Sequence, residues 1–287
     1  MASNAWIMWE NVLPDATTVT ESVAATAGWP LSHATDNWNP GTAYRYALPG
    51  TSTATNVFNF GAGVTKEPDT IVGGAYSTDG TRIIRRVRYS DDGAAWFNAA
   101  PISGWEDLTG LTQPFATSRS WTGLGDHQYW EILMQGGANR QIGLISLGRK
   151  FEIGVGGLPP SFEPFPDRVQ AERVMSHSGH PLGANVTSIQ RTFTLDISNP
   201  GLAVSTFYEP ASGLTWADFL AHAQGLGKPF WFCWNPDDDY PLPAGAVNFG
   251  FLNSIFLCRL ISAPTPIEWT TARRGLSMTI AAYNRAA

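Results

Sequence analysis

His127-Gln128-Tyr129-Trp130-Glu131-Ile132-Leu133-Met134-Gln135 is the stretch whose reading decides the fold. Side chains of an extended chain alternate sides, so Trp130, Ile132 and Met134 share one face while Glu131 and Leu133 share the other. Leu133 makes the alternation imperfect, but the stretch still reads as a half-buried strand. Two runs upstream read the same way: Asp69–Tyr76 (DTIVGGAY) and Arg82–Ser90 (RIIRRVRYS), each bounded by Gly, Asp or Ser clusters. The first half of the chain is therefore expected to be all β.

Further out, the chain breaks. Residues 154–167, GVGGLPPSFEPFPD, are rich in Gly and Pro and read as a linker that docks through Phe162 and Phe165. Beyond it, Phe193, Leu195 and Ile197 alternate with Thr194 and Asp196, and Leu276, Met278 and Ile280 line a second strand. One helix lies between them. Thr215 caps it, Asp218 stands three residues on, and Trp216, Phe219, Leu220 and Ala223 recur at helical spacing before Gly225, Gly227 and Pro229 stop it. The expected organisation is a β domain over residues 1–150, a linker over 151–170, and a β domain with one packed helix over 171–287.

Composition narrows the function. Lys and Arg number 18 against 24 Asp and Glu, for a net charge of -6, which does not suit a partner that demands a concentrated cationic face. We expect neither nucleic-acid binding nor membrane insertion. Phe249–Leu260, the most apolar stretch, holds Asn253 and Arg259 and is far short of a spanning helix. No basic segment precedes Trp6, Ile7 and Met8, so a secretory signal is not expected and synthesis in a cytosol is. Cys233 and Cys258 each sit in an apolar run and read as two small buried side chains.

Two resemblances rest on ordered motifs. Ala34-Thr35-Asp36 with Thr42 and Tyr44, then Ser90-Asp91-Asp92-Gly93-Ala94-Ala95-Trp96, then Tyr129-Trp130-Glu131-Ile132, then Ile142-Gly143-Leu144-Ile145-Ser146-Leu147-Gly148 follow one another over the first half. In that order they resemble discoidin-like (F5/8 type C, galactose-binding-like) jelly rolls. Glu131 stands where those domains usually carry Arg, so no ligand role passes from that Arg to this chain. In the second half, Gly179-His180-Pro181-Leu182-Gly183 precedes the strand Arg191–Ser198. The helix Trp216–Gln224, the strand Lys228–Trp234, Phe256–Ser262 and the closing strand Gly275–Ala282 follow. That succession is similar to the tail-hub domain of distal tail proteins of long, non-contractile-tailed bacteriophages. The resemblance implies a ring, often hexameric, that joins the tail tube to the receptor-binding apparatus.

Catalytic chemistry finds little support in the residues. His177 and His180 form H-x-x-H without a third ligand nearby, and zinc requires three or four. Asp237-Asp238-Asp239, between Pro236 and Pro241, reads as a solvated acidic turn, although carboxylates with backbone carbonyls are also how a hard cation is held. Asp91 and Asp92 serve the turn S-D-D-G. Neither G-x-S-x-G nor a P-loop occurs. The run Arg82, Arg85, Arg86, Arg88 reads as one face of a strand, with a phosphate- or lipopolysaccharide-binding strip as the alternative. Trp29, Trp38, Tyr44, Tyr46, Trp105 and Trp121 fall in turn-rich segments, where they either close the ends of the jelly roll as core or stack on a sugar. Trp38, Tyr44 and Trp121 are the candidate ligand-binding residues.

The expectation is a non-enzymatic virion component of a phage tail tip or baseplate, without cofactor or metal. Its partners would be its own copies in a ring, the tail tube, hub, fibre or receptor-binding proteins, and a host surface saccharide. The alternative is a carbohydrate-binding module accompanying a glycan-active enzyme; a hydrolase with an unseen active site is a third reading.

Overall fold

The computed structural model describes residues 5–35, 44–74, 84–99, 116–153, 167–175, 181–197, 213–225, 227–234, 255–262, 265–270 and 273–282. In chain order the elements are β1 (Trp6–Met8), β2 (Thr18–Glu21), α1 (Ser32–Thr35), β3 (Tyr44–Asn59), β4 (Thr70–Gly74), β5 (Ile84–Ser90), β6 (Phe97–Asn98), β7 (Ala116–Ser120), β8 (Tyr129–Ile142), β9 (Leu144–Gly148), β10 (Phe151–Glu152), β11 (Asp167–Met175), β12 (Pro181–Ile197), α2 (Trp216–Leu220), β13 (Phe230–Cys233), β14 (Ile255–Leu260), β15 (Thr265–Thr270) and β16 (Arg273–Ala282). The architecture is mainly β. The chain divides into two compact units: Met8–Lys150 with Asn235–Ile255, and Met1–Ile7 with Phe151–Trp234 and Phe256–Ala287.

The first unit is an antiparallel β-sandwich of the jelly-roll kind. One sheet has the order β2-β3-β8-β5-β6 and the other β7-β4-β9. The alternation of β8 supplies the core: Trp130, Ile132 and Met134 are all fully buried. The register places Phe58, Asn56 and Ala54 opposite them on β3, and Tyr89, Val87 and Ile84 opposite them on β5. Ile71, Ile145 and Leu147 of the smaller sheet join the same cluster. Asn11 ties the incoming chain to that sheet, donating to the carbonyls of Thr35 and Ile145 and accepting from the amides of Leu13 and Leu147. One side chain thus satisfies four backbone groups that burial would otherwise leave costly.

The second unit is built on an eight-stranded sheet that runs β10-β1-β13-β14-β16-β12-β11, with β15 also on β16. Phe193 pairs with Ile280, Leu195 with Met278 and Ile197 with Leu276, so the two apolar faces legible in the sequence meet in register. Thr215 and Asp218 form the reciprocal capping box at the start of α2. After Leu220 the helix widens into a π turn over Ala221–Gly225, where the expectation was one helix to Gln224. Lys228 N–H reaches the His222 carbonyl, and the Nε2 of His222 meets the Pro229 carbonyl at 2.8 Å. Trp216 and Phe219 are buried against Phe151 and Phe230 in a chain of edge-on rings. Cys233 and Cys258 form no disulfide and are fully buried; burial pushes the Cys258 thiol well up.

The division differs from a cut at residue 150 in two respects: Asn235–Ile255 falls with the first unit, and Met1–Ile7 with the second. Trp6 and Ile7 pair with Glu152 and Phe151, so the N-terminal strand completes the sheet of the second unit. Of the linker placed at 151–170, residues 151–152 and 167–170 are strand, and residues 154–166 lie outside the described residues. No helix among the described residues is long and apolar enough to cross a membrane.

Candidate functional site

Two of the three candidate residues are core. Tyr44 opens β3, is fully buried and stacks on Tyr46, itself fully buried, at 5.3 Å. Burial, followed by the Glu21 carboxylate, pushes its phenol up, so it stays protonated. Trp121 is 8% exposed, stacks on Trp130 at 5.8 Å and donates its Nε1–H to the Pro68 carbonyl at 2.8 Å. Neither ring offers a face to a sugar: turn-rich sequence around a Trp marks the end of a strand, and here the ends are closed by the rings themselves. Trp38, Trp105, His177, His180 and Asp237–Asp239 lie outside the described residues. Trp29 is half-buried beneath the Arg45 guanidinium, 3.7 Å from the ring centroid, and Arg45 also donates to Gln141.

The Asp69 backbone carbonyl accepts from the Trp121 backbone N–H. Burial raises the Asp69 carboxyl from 3.8 to about 6, against the opposing pull of the Lys150 amide and the Thr70 hydroxyl. A carboxyl raised in the folded state stabilises the fold most below its unfolded value, near pH 4, and loses that contribution as pH rises through about 6. The two-unit shift corresponds to at most about 3 kcal/mol once the group is ionised. Asp69→Asn keeps an acceptor for Lys150. Its unfolding free energy from urea denaturation should exceed the wild type's by about 1–2 kcal/mol at pH 7.5, and the gain should vanish at pH 3.5, below the unfolded value. Equal gains at both values would show that ionisation is not what the fold opposes.

An exposed aromatic array forms where β5 meets β6. Ser90-Asp91-Asp92-Gly93 turns the chain because the Ser90 hydroxyl accepts from the Gly93 amide and the Asp92 carboxylate accepts from Ala94 and Ala95. Those amides, then the Ser90 hydroxyl, hold the Asp92 carboxyl below its usual range. Gly93 is required, since its φ of +71° is left-handed and a Cβ would meet the Tyr129 ring at 3.3 Å. The turn delivers Phe97, 57% exposed, onto Tyr89 at 5.7 Å; Tyr89 in turn stacks on His127 at 4.0 Å. His127 meets Asp91 through Nδ1 at 2.9 Å and the Leu124 carbonyl through Nε2 at 3.0 Å. Exposed Asn98 follows Phe97.

On the strand's other face Arg88 pairs with Glu131, its cross-strand partner, and lies 5.6 Å from the Trp96 ring centroid. Glu131 is buried, and the pair neutralises it. Of the four arginines read as a cationic strip, Arg82 and the side chain of Arg85 are outside the described residues, Arg88 is paired, and Arg86 is exposed. Among the described residues no three His, Cys, Asp or Glu side chains cluster as metal ligands would. Phe97, Tyr89 and His127 were not singled out from the sequence. The signal was the S-D-D-G turn itself, which brings the residues on either side of it into one ladder.

No protein-family model matches the chain, and no curated protein does. Solved structures resemble part of it. A chitosan-binding module from a chitosanase/glucanase of Paenibacillus sp. IK-5 is 15% identical, with 48% of this chain and 96% of that one covered at a TM-score of 0.36. A family 32 carbohydrate-binding module of Clostridium perfringens in complex with galactose is 12% identical, covering 50% and 98% at 0.36. A further module from the same organism, in complex with GalNAc-β-1,3-galactose, is 8% identical, covering 48% and 99% at 0.37. Likenesses at these scores say nothing of ligand, and the fold stands on the strand pairing described above.

Proposed function

We propose that the sandwich is a saccharide-binding module, with the Phe97 ring as its contact face. The observation that supports this is the array itself: an exposed ring on an edge strand, backed by Tyr89 and His127, with the exposed Asp91 carboxylate held on the His127 ring. The C–H face of a pyranose packs on such a ring while neighbouring polar groups bind its hydroxyls. The nearby charges largely cancel, Arg88 with Glu131 and Lys66 with Asp15, which favours a neutral sugar over an acidic one. Acting alone, one such face binds at about millimolar Kd. A glycan array probed with the full chain, followed by calorimetry on the best neutral oligosaccharide, tests it. Phe97→Ala should weaken binding at least tenfold, and Val64→Ser, another exposed apolar position, should not. No retention at millimolar sugar, or equal binding by Phe97→Ala, ends the reading.

The module would serve a glycan-active enzyme, or it would sit on a virion. The second reading makes the other unit a ring-forming element of a phage tail tip, in contact with the tail tube and receptor-binding proteins. The feature that favours it is the β11–β12 ribbon. Asp167–Met175 pairs with the first part of β12, while only Thr192–Ile197 of β12 joins β16. Two-stranded ribbons are marginal by themselves, and a neighbouring copy would support this one if rotation closes the ring. Native mass spectrometry of the same sample separates ring from monomer.

A further inference from the structure

We propose that the outer edge of β11 pairs with the β11 of a second copy of this chain, in an antiparallel ladder whose two-fold axis passes at Gln170. The inference goes beyond the saccharide reading and shares no residue with the Phe97 site.

The strand is nine residues long, Asp167–Met175, and it ends its sheet. β12 lies on one side of it; among the described residues no strand lies on the other. Such an edge carries a row of backbone N–H and C=O groups that template another strand, and folds blunt it with Pro, Lys, a bulge or a short length. The sequence DRVQAERVM holds neither Pro nor Lys. Both register shifts against β12 leave the extra residue, Thr187 or Leu182, on β12, so β11 itself runs without a bulge. The edge is long and regular.

The charges select the occupant. Within the chain Asp167 stands opposite Arg191, but Arg168, Glu172 and Arg173 stand opposite Gln190, Asn185 and Ala184. Laid antiparallel on itself about Gln170, the strand sets Asp167 opposite Arg173 and Arg168 opposite Glu172, each pair twice by symmetry, with Val169 opposite Ala171. Opposite charges directly across a ladder stabilise it, and like charges oppose it. A slip of one residue sets Arg168 opposite Arg173 in one direction and Asp167 opposite Glu172 in the other. A parallel, in-register pairing would set every charge against its own kind. One register and one orientation satisfy all the charges, and that specifies the ladder. The same patch serves both copies, so the contact closes at two and is distinct from the head-to-tail contact of a ring.

Two measurements on the full chain test this. Directly opposed Cα atoms of an antiparallel pair lie about 4.5–5.5 Å apart, inside the span of about 4.4–6.8 Å that a disulfide bridges. Gln170→Cys meets its own counterpart and should give a covalent dimer under mild oxidation, while Cys233 and Cys258, both fully buried, stay out of the reaction. Val169→Cys or Ala171→Cys oxidised alone should give at most a tenth of that yield, and the two mixed should cross-link to each other. A contact of one strand pair is small and therefore weak, so the second measurement, sedimentation equilibrium, runs up to millimolar protein. Arg168→Glu sets two carboxylates against Glu172 and should weaken the dimer at least tenfold; adding Glu172→Arg should restore it. Circular dichroism identical to the wild type's qualifies each variant, and the Gln170→Cys result decides if a charge variant does not fold. Equal cross-linking at 169, 170 and 171, a chain that stays monomeric at millimolar concentration, or an affinity that charge reversal leaves unchanged overturns the proposal. So does a ring in which Gln170→Cys does not cross-link.

Discussion

Trp130→Ala should destabilise the sandwich by about 3–5 kcal/mol, the largest loss of any single truncation in it. The ring is fully buried, stacks on Trp121 at 5.8 Å, and has Tyr89 and His127 each 5.9 Å away. Alanine would leave a cavity between the sheets and strip the Lys66 carbonyl of its Nε1–H donor. With domains of 5–15 kcal/mol in total, that is enough to unfold the unit at moderate temperature. Urea denaturation followed by circular dichroism should show the sandwich transition shifted and the other unit's transition in place. Trp130→Phe, which keeps most of the volume, should recover more than half of the loss. If alanine costs under 1 kcal/mol, this ring is not the centre of the core.

Gly148→Ala is the second large effect, and it comes from space alone. A Cβ there would lie 2.4 Å from the Glu10 carbonyl oxygen and 2.9 Å from its carbon, both backbone atoms. That backbone has nowhere to go. Val12 donates to the Leu147 carbonyl, Asn11 accepts from the Leu147 amide, and the Arg149 guanidinium grips the Glu10 carboxylate through two nitrogens at 2.8 Å. Overpacking against such a fixed segment should cost about 3 kcal/mol. Gly123→Ala is the control, because open space surrounds that position and only its φ of +70° opposes a side chain; about 1 kcal/mol is expected. A smaller loss at Gly148 than at Gly123 would mean that residues 10–12 shift freely.

Local periodicity carried the strand faces into the structure intact. Trp130, Ile132 and Met134 point inward as their spacing requires, Phe193, Leu195 and Ile197 meet their partners on β16, and Thr215 and Asp218 cap where the spacing placed them. What periodicity does not encode is which strand is an edge. Phe97 is exposed because β6 is two residues long and ends its sheet, whereas Tyr44 and Trp121 are buried because strands and carbonyls elsewhere in the chain close over them. The contact of His127 with Asp91 spans 36 residues, and no local pattern links the two. For the same reason β1 could not be assigned to the second unit from its own three residues, since its partners in that sheet lie far along the chain.

The pairing of Trp6 and Ile7 with Phe151 and Glu152 means that the polypeptide departs for the sandwich and returns from it side by side. The main segment of the sandwich unit, Met8–Lys150, is thus an insertion between two adjacent strands of the host sheet. Vectorial synthesis adds a timing problem. Trp6, Ile7 and Met8, all buried in the finished fold, are made before the other strands of that sheet, and their neighbour β13 follows more than 200 residues later. The sandwich can fold as it emerges. The host sheet must wait until β16, next to β12 and β14, has been made.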